Sequence, residues 1–153
     1  MGHSQSTEEI LGRRLLLGEA IARNSRLIPN REAVVYGKRR FTYSQFNARI
    51  NQLAHALLAI GMKKGCKVAM LMHNCNEFLE AYIAVAKIGA IGVPLNFRLG
   101  PEEIKYIVNH SDSEAFILGE AFVQTIRGIQ SELPRIATYI SVSEKPVEGM
   151  LHF

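Results

Sequence analysis

Few residues in this 153-residue chain suggest chemistry by type and spacing. His73 and Cys75 stand two apart, after the apolar run Lys67 to His73 and before a helical pattern opening at Glu77. Parallel α/β sheets bind ligands outside the carboxyl ends of their strands. A cysteine at a helix N-terminus can have a lowered thiol pKa, and a nearby histidine can take its proton. A Cys–His nucleophile is therefore one reading of this stretch. The plainer reading, a turn histidine beside a partly buried thiol, asks less of the sequence and is preferred.

Other site patterns are missing. The turn 73–76 has no glycine, whereas a dinucleotide fingerprint needs several for backbone approach to phosphate. GAIG at 89–92 precedes a strand instead of opening a helix, and reads as turn and packing glycine. Neither GxxxxGK[ST] nor GxSxG occurs. The histidines at 3, 55, 73, 110 and 152 have neither HxxxH nor HExxH spacing, and Cys66 and Cys75 form no CxxC pair. No metal site is expected. One disulfide is allowed by count, but nothing marks an oxidising compartment.

Composition is that of an ordinary globular domain, 48% hydrophobic and 21% charged. The net charge of +4 comes from short groups, Arg13-Arg14, Lys38-Arg39-Arg40 and Lys63-Lys64 with Lys67, beside turns or on helix surfaces. They read as solvated surface, with only unspecific attraction for an anionic small molecule or lipid headgroup. A nucleic-acid partner would need a contiguous basic face with a recognition motif, and neither is seen. No run approaches the length of a membrane span, and no basic-then-apolar leader opens the chain. A cytoplasmic protein is expected.

The elements that would position these residues follow from periodicity. Ile10, Leu11, Leu15, Leu17 and Ile21 suggest a helix over 7–24, weakened by Gly12 and Gly18. Ala33 to Tyr36 and Arg40 to Thr42 make a small hairpin across Gly37. Thr42 with Gln45 forms a capping box, and Phe46, Ile50, Leu53, Ala54, Leu57 and Leu58 give one helical face that ends at Gly61. His55 falls on the polar side. Lys67 to His73 is a strand covered on both faces. Asn74 with Glu77 caps the helix 77–88, which is apolar almost all round and therefore expected to be buried in a larger structure. Ile91 to Leu95, Glu114 to Gly119 and Ala137 to Val142 are further strands, separated by helices from Pro101 and over 121–132. Pro134 breaks the last helix, and the tail 143–153 is expected to be loose. The fold class is α/β: a parallel doubly wound sheet, β-α-β-α-β-α-β over 66–142, preceded over 1–65 by a helix, a small β-hairpin and a capped helix. All 153 residues are expected to form a single truncated subdomain.

Several pieces in order and spacing carry a family resemblance from about Leu16 to Gly119. They are Ala33-Val34-Val35-Tyr36, Phe41-Thr42-Tyr43, Gly61 with Lys64-Gly65, Asn74 with Glu77-Phe78, Ala84 to Ala90, Val93 to Leu99, and Pro101 to Ile104. Together they resemble the N-terminal region of AMP-forming acyl-CoA synthetases, in the adenylate-forming superfamily. The tract from Ala84 to Ile104 is the strongest part. Cys66 departs from the aspartate common after the turn glycine in that family.

The resemblance implies a parent enzyme that adenylates a carboxylic acid with ATP and Mg and passes the acyl group to coenzyme A. Pro-Leu-Asn-x-Arg-Leu at 94–99 looks more like fatty-acyl or aryl CoA ligases than peptide-synthetase modules. The family's Ser/Thr/Gly-rich phosphate loop, its acidic ribose contact and its C-terminal lysine have no counterpart here. The chain therefore reads as a fragment, expected to bind no cofactor and to be inactive alone. No catalytic residue is assigned. Arg98 matches an arginine that lies near the nucleotide phosphate of coenzyme A in some members, and is the one cofactor-binding candidate; the alternative is an arginine ordering its own loop. The rival class is a noncatalytic interaction or oligomerisation module, in which the apolar helix 77–88, or surface exposed by truncation, mediates self-association.

Overall fold

The computed structural model describes residues 16–153. The part of the expected first helix before Leu16 lies outside them. Helix α1 (Leu17–Leu27) is followed by the hairpin β1 (Glu32–Tyr36) and β2 (Arg39–Thr42), then helix α2 (Tyr43–Ala59). The alternating unit runs β3 (Lys67–Leu71), α3 (Asn76–Lys87), β4 (Ile91–Pro94), α4 (Pro101–His110), β5 (Ala115–Gly119), α5 (Val123–Ile129) and β6 (Thr138–Val142). Single 3-10 turns flank α5, so the helix expected over 121–132 is split. The tail expected to be loose adds β7 (Leu151–His152) beside β6, with Phe153 N–H donating to the Ser141 carbonyl. Two residues are too few to show a period in sequence.

The sheet order is β4-β3-β5-β6-β7, all parallel, and β1-β2 is a separate antiparallel pair. β3 is paired on both edges and buried on both faces. Val68 and Met70 enter one core with Phe46, Ile50 and Leu57 of α2 and Ala81, Ala84 and Val85 of α3. Ala69 and Leu71 enter the other with Ile104 and Val108 of α4 and Ile126 of α5. The two-residue pleat period thus feeds two cores from one apolar strand.

Helix ends follow local chemistry. The Thr42 hydroxyl accepts from Gln45 N–H at 3.3 Å and the Gln45 side chain accepts from Thr42 N–H at 3.0 Å, closing the expected capping box. Helix α3 departs from expectation. Its cap is Cys75, whose thiol sulfur accepts from Phe78 N–H at 3.4 Å; Asn74 lies one residue outside. The face also differs. Glu77 and Glu80 are buried while Leu79 and Tyr82 are exposed, because arginines from β2 and α2 reach the two carboxylates.

Gly18 lets α1 approach α3. A Cβ there would lie 2.8 Å from the Lys87 Cα. Gly18→Ala should destabilise the chain by about 1–3 kcal/mol through this backbone clash. Gly128→Ala in α5, where a Cβ meets nothing within 4 Å, should be neutral or stabilise by up to about 1 kcal/mol. Urea unfolding of the two variants checks the opposite signs.

Candidate functional site

In sequence order, the five parallel strands lie 2-1-3-4-5 across the sheet, so the topological switch lies between β3 and β5. Their carboxyl ends lead into the segments 72–75 and 119–122, with 95–100 following β4. A cleft of about 470 Å³ opens here, lined by Arg39, His73, Cys75, Glu77, Glu120 and Ser143, among others. His73 and Cys75 therefore share a cleft at the expected end of the sheet.

They do not form a nucleophile pair. The His73 imidazole sits 4.9 Å from the Phe97 ring and 5.1 Å from the Phe122 ring, tilted to both. The Cys75 sulfur is engaged as the α3 cap and lies 3.9 Å from the Met72 sulfur. Burial raises the thiol pKa, outweighing the Phe78 amide that favours thiolate, and the nearby Glu77 carboxylate raises it further. The lowered value that a helix N-terminus suggests is not found, because desolvation and a like charge oppose the dipole.

Arg98 is exposed on the loop after β4. Its amide donates to Asn96 Oδ1 at 3.0 Å, and its guanidinium carbon lies 5.5 Å from the Phe97 ring centroid. Position and charge suit an anionic ligand at the sheet's carboxyl end.

Sequence reasoning missed a set of charged partners, one pair of which lines the cleft. Arg39, read as solvated, donates to Glu77 through both terminal nitrogens and lies over the Tyr36 ring. Burial alone would raise the Glu77 pKa, but the Arg39 hydrogen bond, backbone bonding and the Arg39 charge hold it below the usual range. Arg49 grips Glu80 in a fork, Nε to Oε1 at 2.7 Å and Nη2 to Oε2 at 3.0 Å. The Glu80 hydrogen bond raises the Arg49 pKa against the opposing effect of burial. Asn76 Nδ2 donates to Glu80 at 2.9 Å, while its own Oδ1 is buried without a partner. These pairs span 31 and 38 residues, and only the acidic positions of an otherwise apolar helix could have hinted at them.

Residues 21–152 match the family described as AMP-binding enzyme. The chain belongs to this family. It is 34% identical over 113 residues to 4-hydroxybutyrate–CoA ligase 2 of Metallosphaera sedula, covering 74% of this chain and 21% of that protein. It is 40% identical over 93 residues to the long-chain-fatty-acid–CoA ligase FadD13 of Mycobacterium tuberculosis, covering 61% and 18% respectively. The anthranilate CoA ligase AuaEII, solved with anthranoyl-AMP, superposes with a TM-score of 0.85 at 28% identity over 88% of this chain and 26% of that one. The N-terminal domain of FACL13 from Mycobacterium tuberculosis superposes with a TM-score of 0.79 at 32% identity, over 82% of this chain and 33% of that one. The fold is that of the N-terminal part of adenylate-forming enzymes, and the chain spans about a fifth of the curated relatives named here.

Among the described residues of this family member, no three His, Cys, Asp or Glu side chains converge on a point. The turn after β3 offers no glycine cradle for phosphate. The described residues therefore do not fit Mg-ATP.

The Glu77 shift sets a pH dependence. Its folded pKa lies below the unfolded value of about 4.3, so the stability it contributes is full above that value and is lost as pH falls through the folded pKa. In Arg39→Ala, burial acts unopposed by the arginine, and the acid limb of thermal stability should begin at a higher pH than in the unmodified chain. Melting curves across the acid range test this; coincident acid limbs would refute it. Cys75 should react with a thiol reagent at neutral pH more slowly than a free model thiol, read by peptide mapping after timed labelling.

Proposed function

We infer that this chain is the N-terminal region of an AMP-forming acyl-CoA synthetase acting on a fatty acid or related carboxylic acid. The observation that carries the inference is the family match over residues 21–152, with CoA ligases among the relatives and structural neighbours. In the whole enzyme a substrate carboxylate attacks the α-phosphorus of ATP, with Mg, and pyrophosphate leaves. The coenzyme A thiol then attacks the acyl carbonyl of acyl-AMP, and AMP leaves. The groups for the first step come from outside this segment. The segment's own part is to hold coenzyme A, with Arg98 beside the nucleotide phosphate as a planar donor fork. No described helix is long and apolar enough to cross a membrane, which suits a cytoplasmic enzyme using these water-soluble co-substrates.

A chimera tests the assignment. Residues 16–153 replace the matching segment of FadD13, and acyl-CoA formation from ATP, fatty acid and coenzyme A is followed. The chimera should turn over, whereas the 153-residue chain alone should form no acyl-AMP. Arg98→Ala in the chimera should raise KM for coenzyme A about two- to fivefold, the scale of a lost solvent-exposed charge contact, and leave acyl-AMP formation unchanged. A folded chimera unable to make acyl-CoA would defeat the assignment, and an unchanged KM would defeat the role of Arg98.

A further inference from the structure

We propose that His73 is a positioning residue, which holds the Arg98 guanidinium at the carboxyl end of the sheet for the phosphate of a nucleotide ligand. This rests on the reading of Arg98 as a coenzyme A contact. The inference comes from a line of contacts through three segments that are distant in sequence. Phe122, after β5, is half-buried and packs on the core formed with α4 and α5. His73, after β3, stands 5.1 Å from it. Phe97, after β4, stands 4.9 Å from His73 and is 39% exposed. Arg98 follows, its guanidinium over the Phe97 ring at 5.5 Å.

The physical problem is the loop after β4. Leu95 and Leu99 anchor its two ends to the core, and Asn96 makes a local turn by accepting the Arg98 amide. Neither contact fixes the Phe97 ring, and so neither fixes the platform under the guanidinium. The His73 imidazole does, because it also packs against Phe122, which the core holds. A tilted ring contact is worth about 0.5–1.5 kcal/mol by general experience. That is enough to bias the direction of an exposed arginine. The wedge needs a flat ring at 73, not a charge or a proton, so phenylalanine should replace histidine and alanine should not.

The test uses the FadD13 chimera that carries residues 16–153, followed by NMR with selectively labelled arginine, with coenzyme A and dephospho-coenzyme A as probes. Dephospho-coenzyme A lacks the ribose phosphate. In the unmodified chimera the Arg98 side-chain protons should carry ring-current shifts, and coenzyme A should bind more tightly than its dephospho form. The expected ratio is about two- to fivefold, the scale of a solvent-exposed charge contact. His73→Ala should collapse the Arg98 ring-current shifts and bring the two affinities together, with core methyl signals unmoved. His73→Phe should restore both. A His73→Ala chimera that keeps the shifts and the discrimination overturns the positioning role. If His73→Ala abolishes discrimination and Arg98→Ala leaves it intact, the role of Arg98 fails and the proposal fails with it. If Arg98→Ala abolishes discrimination and His73→Ala does not, Arg98 stands and only the wedge is lost. An unmodified chimera that does not distinguish the two probes defeats both.

Discussion

The structure depends on one constraint: β3 is sandwiched on every side. It pairs with β4 on one edge and β5 on the other, and its alternate side chains enter two separate cores. A strand so placed must be apolar throughout, and helices must lie on both faces of the sheet. Because β4 is added to one edge and β5 to the other, the connections leave the sheet on opposite sides of β3. The splayed loops at their carboxyl ends create the cleft, so the position of the candidate site is a consequence of how β3 is buried.

The second constraint is electrostatic. Helix α3 turns two carboxylates inward, and a charge moved from water into a protein interior is costly unless paired and hydrogen-bonded. Glu80, 1% exposed, is satisfied by the forked Arg49 and by Asn76. Arg49 also lies over the Phe41 ring, so the same guanidinium ties α2, β2 and α3 together. Glu77 repeats the arrangement with Arg39. These pairs give the hairpin its fixed seat. A two-stranded ribbon has little stability of its own, and the arginines at 39 and 49 attach it to the larger unit. A buried pair of this kind contributes direction more surely than net stability, since a well-packed apolar replacement can be as stable.

Much of the fold was legible because its causes are local. The capping box at Thr42 and Gln45, the apolar period of α2, proline at the start of α4 and the continuous apolar run of β3 each depend on neighbours within a few residues. The β-α order and the parallel sheet followed from them. What was not legible was set by distance. The sheet order cannot be read from periodicity, because it depends on which edge of β3 each new strand joins. The arginine partners of Glu77 and Glu80 lie in other elements, so Arg39 reads as one more surface charge. The cap of α3 moved from Asn74 to Cys75 because the backbone placed the extended residue one position later, with φ −152°. At the carboxyl end of the sheet, the sequence located His73, Cys75 and Arg98 at strand ends, but not the rings of Phe97 and Phe122 that pack on the histidine.

Cys75 shows why residue type and helix position do not suffice to name a nucleophile. The positive end of a helix favours an anion, and a free thiolate there would be expected to form early. At Cys75 the sulfur already accepts the Phe78 amide as a cap, so the helix end is using the atom that a substrate would need. The thiol is half-buried, which penalises the charged form, and the next negative charge along the helix, Glu77, adds repulsion. Glu77 is itself kept ionised by Arg39. The same ion pair that seats the hairpin therefore maintains a charge that adds to the effect of burial in raising the Cys75 pKa. Structure and reactivity at the end of β3 are linked through one carboxylate, and the link favours a capping role for the cysteine over catalysis.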